Sequence, residues 1–275
     1  MILECKTIKE KTISNLKDKI SKLNDKLTLV VIQVGDDPAS NVYVKQKEKT
    51  ANELNVNFIH EKLDSNVTEE FLINLIEKYN NDTNVNGILV QMPLPSHINE
   101  LTIQNKVNYL KDVDGLTDIN MGRLAHNKDT LVPCTPLGIM EILSFYKIDV
   151  EGKNVVVVGR SNLVGKPISL LLTNNNATVT LCHSKTKNLK ELTKNADILI
   201  SAVGKKGMIT KDMIKHGSTV IDVGINRIDN KLYGDVEECS DICNITPVPK
   251  GVGQMTVACL YKNLYKAYNL QKQRW

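Results

Sequence analysis

Short runs of β-branched and aliphatic residues alternate along this chain with longer segments whose apolar positions recur at helical spacing. Leu27–Val34, Val56–Leu63 and Gly87–Gln91 read as strands in the first half, and Asn154–Val158, Thr178–Cys182, Asp197–Val203 and Thr219–Val223 in the second. Helices are predicted from about Glu4 to Leu23, over Ala39–Leu54, Thr68–Tyr79, Pro136–Tyr146 and Val164–Leu172, and from about Gln254 to Asn269. Gly35-Asp36-Asp37-Pro38 makes a turn, Met92-Pro93-Leu94-Pro95 stops a strand abruptly, and a loop is expected around Asp112–Asp118. Asp229-Asn230, between Ile228 and Lys231-Leu232-Tyr233, suggests a hairpin. This βαβα repetition, met twice, predicts two α/β domains with mainly parallel sheets.

Val155-Val156-Val157-Val158-Gly159-Arg160-Ser161 runs from a fully apolar strand into a glycine turn, with a helix opening at Val164-Gly165. That is the opening unit of a nucleotide-binding sheet, in which free N–H groups at the helix start face a phosphate. The usual G-x-G-x-x-G spacing is absent, because Ser161 stands where the second glycine belongs. The next strand ends at Cys182-His183-Ser184-Lys185, without the acid that binds the adenosine ribose of NAD. Arg160, Ser184 and Lys185 offer donors and positive charge instead, which suits the 2′-phosphate of NADP. A basic surface turn is the plainer alternative.

In the predicted helix Ala39–Leu54, positions Ala39, Tyr43, Lys47, Thr50, Ala51 and Leu54 fall in one sector, opposite Lys45, Glu48, Lys49 and Asn52. Lys47 is the lysine of this helix that points with the apolar residues. It is either a snorkelling side chain or a partly desolvated amine able to exchange protons near neutrality. Gln91, at the end of an apolar strand, is its natural partner.

The chain of 275 residues is 41% hydrophobic and 24% charged, as expected of a globular protein with a sizeable core. A net charge of +4 from scattered lysines does not call for nucleic acid and mildly favours anionic ligands. No run of residues has the length and apolarity of a membrane span or a signal peptide, so a cytoplasmic protein is expected. The cysteines at 5, 134, 182, 239, 243 and 259 form no CxxC pair. Cys239 and Cys243 lack nearby histidines, so reduced thiols are expected and no metal site is indicated.

Several longer motifs occur in order: Tyr43-Val44-Lys45-Gln46-Lys47, Gly87-Ile88-Leu89-Val90-Gln91-Met92-Pro93-Leu94-Pro95, Lys111-Asp112-Val113-Asp114-Gly115 and Pro133-Cys134-Thr135-Pro136. Gly159-Arg160-Ser161 through Val164-Gly165-Lys166-Pro167, Asp222-Val223-Gly224-Ile225-Asn226 and Thr246-Pro247-Val248-Pro249 follow. Along nearly its whole length the chain resembles the bifunctional methylenetetrahydrofolate dehydrogenase/methenyltetrahydrofolate cyclohydrolases. The resemblance implies an NADP-dependent hydride transfer from methylenetetrahydrofolate, then hydrolysis of the methenyl product to formyltetrahydrofolate, within one-carbon metabolism.

It also implies roles residue by residue. Lys47 is the catalytic group of the hydrolysis, Tyr43 packs on the folate, Gln91 tunes the lysine, and Asp114 hydrogen-bonds the pterin edge, with Pro249 and Gly251 lining the folate site. Gly159, Arg160, Ser161, Gly165 and Ser184 hold NADP, with Thr135 and Ile225 flanking it. The implied organisation is a folate-binding catalytic domain over residues 1–137, on which a C-terminal helix 254–275 packs back, and a Rossmann-like NADP-binding domain over 138–253. A cleft between them receives the folate, and the enzyme is expected to be a homodimer.

One departure stands out. The family's P-G-G-V-G-P-M-T signature here reads Pro249-Lys250-Gly251-Val252-Gly253-Gln254-Met255-Thr256. A lysine in place of a glycine strains the loop if that position needs a positive φ, or else alters contacts with the polyglutamate tail. Three other readings compete. They are a monofunctional NAD-dependent dehydrogenase, a shikimate-dehydrogenase-like reductase, and a catalytically inactive folate- or nucleotide-binding subunit. Retained Lys47 and Gln91, with Arg160 beside Ser184, speak against the first, and the Asp-Val-Asp-Gly loop against the second. The altered loop at Lys250 and Gln254 is what favours the third.

Overall fold

A computed structural model of the chain describes residues 1–229 and 231–273. Asn230, in the predicted hairpin turn, and the last two residues of the predicted 254–275 helix lie outside the described residues. Helix α1 (Lys6–Ile20) leads into β1 (Thr28–Val34), α2 (Pro38–Glu53), β2 (Asn57–Leu63), α3 (Glu69–Asn81) and β3 (Gly87–Gln91). Then come α4 (Glu100–Lys106), α5 (Asp118–Ala125), α6 (Cys134–Phe145), β4 (Asn154–Val158), α7 (Gly165–Asn174), β5 (Thr178–Cys182), α8 (Leu189–Lys194), β6 (Ile198–Ser201) and β7 (Thr219–Asp222). The pair β8 (Asn226–Ile228) and β9 (Lys231–Tyr233), strand β10 (Asn244–Ile245) and the long helix α9 (Gly253–Lys272) complete the order.

The chain divides into two compact units. The first comprises Thr12–Cys134 and the residues from Val257 onward. Its sheet is parallel, in the order β2-β1-β3, and every residue of β1 is buried. A strand buried on both faces needs a continuous apolar run, which Thr-Leu-Val-Val-Ile-Gln-Val nearly supplies. Val30, Ile32, Ile88 and Val90 pack with Leu72 and Ile76 of α3 in the core. Thr68 caps α3 by accepting the Phe71 N–H at 3.1 Å, and Glu69 and Glu70 complement the dipole of its first turn.

The second unit comprises Met1–Lys11 and Thr135–Thr256. Its five parallel strands follow the order β10-β7-β6-β4-β5, with the antiparallel β8–β9 ribbon beside them in sequence. Strand order reverses about β4, whose neighbours are β5 and β6; a ligand crevice forms at the carboxyl ends of such strands. The first residues join this unit through backbone pairs, Leu3 N to Ile245 O at 2.8 Å and Ile245 N to Met1 O at 3.0 Å.

Among the described residues no helix is long and apolar enough to cross a membrane, and no group of three or more His, Cys, Asp or Glu could hold a metal ion.

Candidate active site

Asp37 caps α2 by accepting the Ser40 N–H at 2.7 Å, and Pro38 fits the first turn, where its missing N–H costs nothing. The helix turns Ser40, Val44, Thr50 and Ala51 inward. The sector expected from periodicity is therefore corrected at its N-terminal end. Ala39 is exposed and Tyr43 is 44% exposed, because the Ser40 hydroxyl reaches inward to the Met92 carbonyl at 3.2 Å. Lys47 is half-buried at the edge of this face, and the Tyr43 ring lies on the flank beyond it.

The Lys47 ammonium donates to Gln91 Oε1 at 2.6 Å. Gln91 sits at the last position of β3, and its amide donates in turn to the Met92 carbonyl at 2.8 Å, so its oxygen faces the lysine. From α9, the buried Tyr261 hydroxyl donates to the Lys47 carbonyl at 2.5 Å and braces that turn of α2. Burial pulls the lysine below its ordinary value of 10.5, and the Asp114 carboxylate opposes that pull. The structure thus brings Lys47, Gln91 and Asp114 together.

Asp112 and Asp114 divide into two roles that spacing alone does not separate. Asp112 is buried and accepts the N–H groups of Gly115 at 3.0 Å and Thr117 at 2.8 Å and the Asn120 amide at 2.8 Å, which makes it the turn-former. Gly115, at φ +71°, packs its α-carbon so close that an added Cβ would sit 2.5 Å from the Val132 carbonyl carbon. Asp114 is left to face Lys47 and the Cys134 thiol. Burial raises the Asp114 carboxyl above the usual carboxylate range, Lys47 holds it down, and Asp112 adds to the rise.

Sequence reasoning missed three supports of this loop: Cys134, Tyr261 and Asn263. The Asn263 amide donates to the carbonyls of Val113 at 2.8 Å and Val132 at 2.7 Å, tying together the segments on either side of the loop. Tyrosine and asparagine among the apolar positions of an amphipathic helix were the available signal, since each needs a partner there.

In the second unit Gly159 follows β4 at φ +116°, and a Cβ there would meet the Ala202 carbonyl oxygen at 2.3 Å. A Cβ on Gly165 would meet the Gly159 carbonyl oxygen at 1.8 Å. Both glycines are required for the turn to close against the helix start. Ser161, in place of a glycine, has its hydroxyl accepting the Val164 N–H at 3.2 Å. Arg160 and Ser184 are exposed, each two residues beyond the paired positions Val158 and Cys182. A guanidinium and a hydroxyl at neighbouring strand ends, with no acid from His183 to Lys187, fit the 2′-phosphate of NADP.

Thr135 lies in the first turn of α6, its hydroxyl 3.2 Å from that of Thr256, and Ile225 is 51% exposed after β7. Pro249 is exposed; at Gly251 a Cβ would meet the Pro247 carbonyl oxygen at 2.1 Å. These four residues belong to the second unit, as do Gly159, Arg160, Ser161, Gly165 and Ser184.

Lys250 occupies φ +76°, the left-handed region that favours glycine. Lys250→Gly is expected to relieve up to about 1 kcal/mol of backbone strain, partly offset by the freer unfolded chain. Chemical denaturation checks this: the midpoint should rise, and a fall would mean that the lysine side chain anchors the loop.

Two buried acids, also unread from sequence, shape the strand ends of this unit. Asp235 accepts the N–H groups of Val203 at 2.7 Å, Gly204 at 3.1 Å and Lys205 at 2.8 Å, ordering the loop after β6. Asp222 accepts those of Gly224, Asp235 and Val236, each at 3.0 Å. Burial still pushes Asp222 up to about 6. Its proton is held more tightly in the folded state, so the stability it contributes is full below the ordinary 3.8 and is lost as pH rises through about 6.

Comparison with known proteins covers nearly the whole chain. The family model described as "Tetrahydrofolate dehydrogenase/cyclohydrolase, catalytic domain" matches residues 3–114, and the one described as "Tetrahydrofolate dehydrogenase/cyclohydrolase, NAD(P)-binding domain" matches residues 133–272. The bifunctional protein FolD of Campylobacter hominis is 48% identical over 97% of this chain and 96% of its own. The crystal structure of the bifunctional FolD enzyme of Campylobacter jejuni superposes with a TM-score of 0.96, at 43% identity, covering 98% of this chain and 99% of that one. That of the Trypanosoma brucei dehydrogenase-cyclohydrolase, complexed with NADP and an inhibitor, gives 0.92 at 32% identity, covering 98% of each chain.

Proposed function

The chain belongs to the tetrahydrofolate dehydrogenase/cyclohydrolase family, and from that premise we propose how its residues divide the work. The enzyme oxidises methylenetetrahydrofolate to methenyltetrahydrofolate with NADP and hydrolyses the product to formyltetrahydrofolate. Bound NADP supplies the hydride acceptor. The protein's part in that step is alignment, because the folate nitrogens themselves stabilise the cation left when hydride departs.

Hydrolysis needs protons moved, and Lys47 moves them. Its lowered pKa makes the neutral amine accessible, and the bond to Gln91 Oε1 uses one N–H while leaving the nitrogen lone pair free. That lone pair takes a proton from the water attacking the methenyl carbon. The resulting ammonium returns a proton to the folate nitrogen that leaves as the ring opens. Gln91 accepts from both forms and keeps the amine in place. The Asp114 carboxylate accepts the adjacent N–H donors of the aminopyrimidine edge. The exposed Tyr43 ring gives the folate a flat surface to stack on.

Arg160 and Ser184 bind the 2′-phosphate, with Gly159, Ser161 and Gly165 shaping the phosphate turn and Thr135 and Ile225 beside the cofactor. The observation that carries the reading is the Lys47–Gln91–Asp114 constellation. We place the enzyme in the cytoplasm as a homodimer, with no nucleic-acid partner. An assay of methenyltetrahydrofolate absorbance with methylenetetrahydrofolate and NADP⁺ tests the reaction. A rise followed by decay is expected, and no rise would sink the assignment.

A further inference from the structure

Cys239 and Cys243 take no part in the folate or NADP chemistry; they lie in a turn that leads into β10. Both are buried among Val156, Val158, Leu199 and Val220, and their sulfurs stand 3.2 Å apart. The turn is closed by the Cys243 N–H donating to the Cys239 carbonyl at 3.2 Å. An i to i+4 turn of this kind holds its end residues roughly 6 Å apart, inside the span that a disulfide tolerates. We infer that this pair is a reversible oxidation site, a dithiol that takes a small neutral peroxide and closes to a disulfide.

The two thiols are not equivalent. The contact between the two sulfurs draws the Cys243 thiol below its ordinary value and pushes Cys239 up. The N-terminal ammonium, which donates to the Cys243 carbonyl at 3.0 Å, also favours the Cys243 thiolate, so Cys243 is the attacking sulfur and Cys239 the resolving one. The other thiols with a defined shift move the opposite way: burial pushes Cys5 up to about 12, Cys134 well above the ordinary range, and Cys182 up. Both thiols are buried beneath a turn whose residues Glu238 and Asp241 are exposed, so the oxidant must be small enough to enter when that turn opens. Burial of both sulfurs favours a small neutral oxidant, hydrogen peroxide, over a bulky or charged disulfide.

The chemistry balances. The Cys243 thiolate attacks one peroxide oxygen, forming S–O, breaking O–O and releasing hydroxide. That hydroxide takes the Cys239 proton and becomes water. The Cys239 sulfur then attacks the Cys243 sulfur, forming S–S and expelling a second hydroxide, which is protonated by solvent. Two thiols are oxidised by two electrons and one peroxide is reduced to two waters. The product locks the turn that feeds β10, the strand on which Met1 and Leu3 pair.

The test uses the full-length protein treated with equimolar hydrogen peroxide. Thiols counted under denaturing conditions should fall from six to four, peptide mapping should find Cys239 joined to Cys243, and dithiothreitol should restore all six. Cys239→Ser should instead leave a Cys243 sulfenic acid that dimedone traps, and Cys243→Ser should lose neither the thiol count nor trap the reagent. An intact thiol count in the wild-type protein, or a disulfide between other cysteines, overturns the inference without reference to either variant.

Discussion

Lys47→Met is expected to abolish hydrolysis of supplied methenyltetrahydrofolate, a loss of about 10²–10⁴-fold in kcat, while NADP-dependent oxidation of methylenetetrahydrofolate stays measurable. Methionine keeps most of the unbranched stem that covers the α2 face, so the fold and the brace from Tyr261 to the Lys47 carbonyl are retained. What disappears is the amine. The pH profile carries an independent check. Because burial pulls Lys47 below 10.5, the neutral amine forms at lower pH than on an exposed lysine, and the rising limb of hydrolysis should have its midpoint below 10.5. In Gln91→Leu the ammonium loses its acceptor at 2.6 Å, so that limb should move further down as activity falls. Hydrolysis by Lys47→Met at near the normal rate would remove Lys47 from the mechanism, whatever the profile of the parent enzyme.

The strands were the most legible part of the fold. Gly87–Gln91 and Asn154–Val158 run where their apolar patterns put them, because a strand buried on both faces has no polar position to blur its ends. The edge strand Thr178–Cys182 is marked by its β-branched residues. Helices α4 and α5 were not anticipated from the pattern, which gave only a loop around Asp112–Asp118. They have seven and eight residues and bury few side chains, so their start signals, Asn99 and Thr117 at the N-caps, were the evidence to use. In the site, Tyr43, Lys47 and Gln91 could be singled out by spacing and strand position, but the identity of the catalytic amine came from resemblance. Spacing does not say that a lysine on the edge of a buried face meets a carboxylate. Asp114 reaches Lys47 only because Asp112 takes the turn's N–H groups, a division invisible in Asp-Val-Asp-Gly. Asp222 and Asp235 were equally hidden, since their partners are backbone N–H groups that every residue but proline supplies.

Arg160→Ala is expected to lower kcat/KM for NADP⁺ by about 10–100-fold and to leave that for NAD⁺ nearly unchanged. The magnitude follows from a hydrogen bond to a charged group, worth about 1.5–3 kcal/mol, at 1.4 kcal/mol for each factor of ten. The selectivity follows from what the side chain meets: NAD has no 2′-phosphate, so deleting the guanidinium removes nothing from it. Arg160→Lys keeps the charge and loses the planar fork, and should fall between the parent and the alanine variant. Ser184→Ala removes a neutral donor and should cost less than either. Because Arg160 is exposed, the preference for NADP⁺ should also shrink as salt is raised, through screening of the same contact. The turn beside it responds differently. Gly165→Ala drives a Cβ onto the Gly159 carbonyl oxygen, distorting the phosphate loop that both cofactors share, so its loss should be equal for NAD⁺ and NADP⁺. Parallel steady-state kinetics with the two cofactors therefore separate the residue that discriminates from the residue that shapes the loop. An equal loss with both cofactors in Arg160→Ala would assign the guanidinium to the loop instead of the 2′-phosphate.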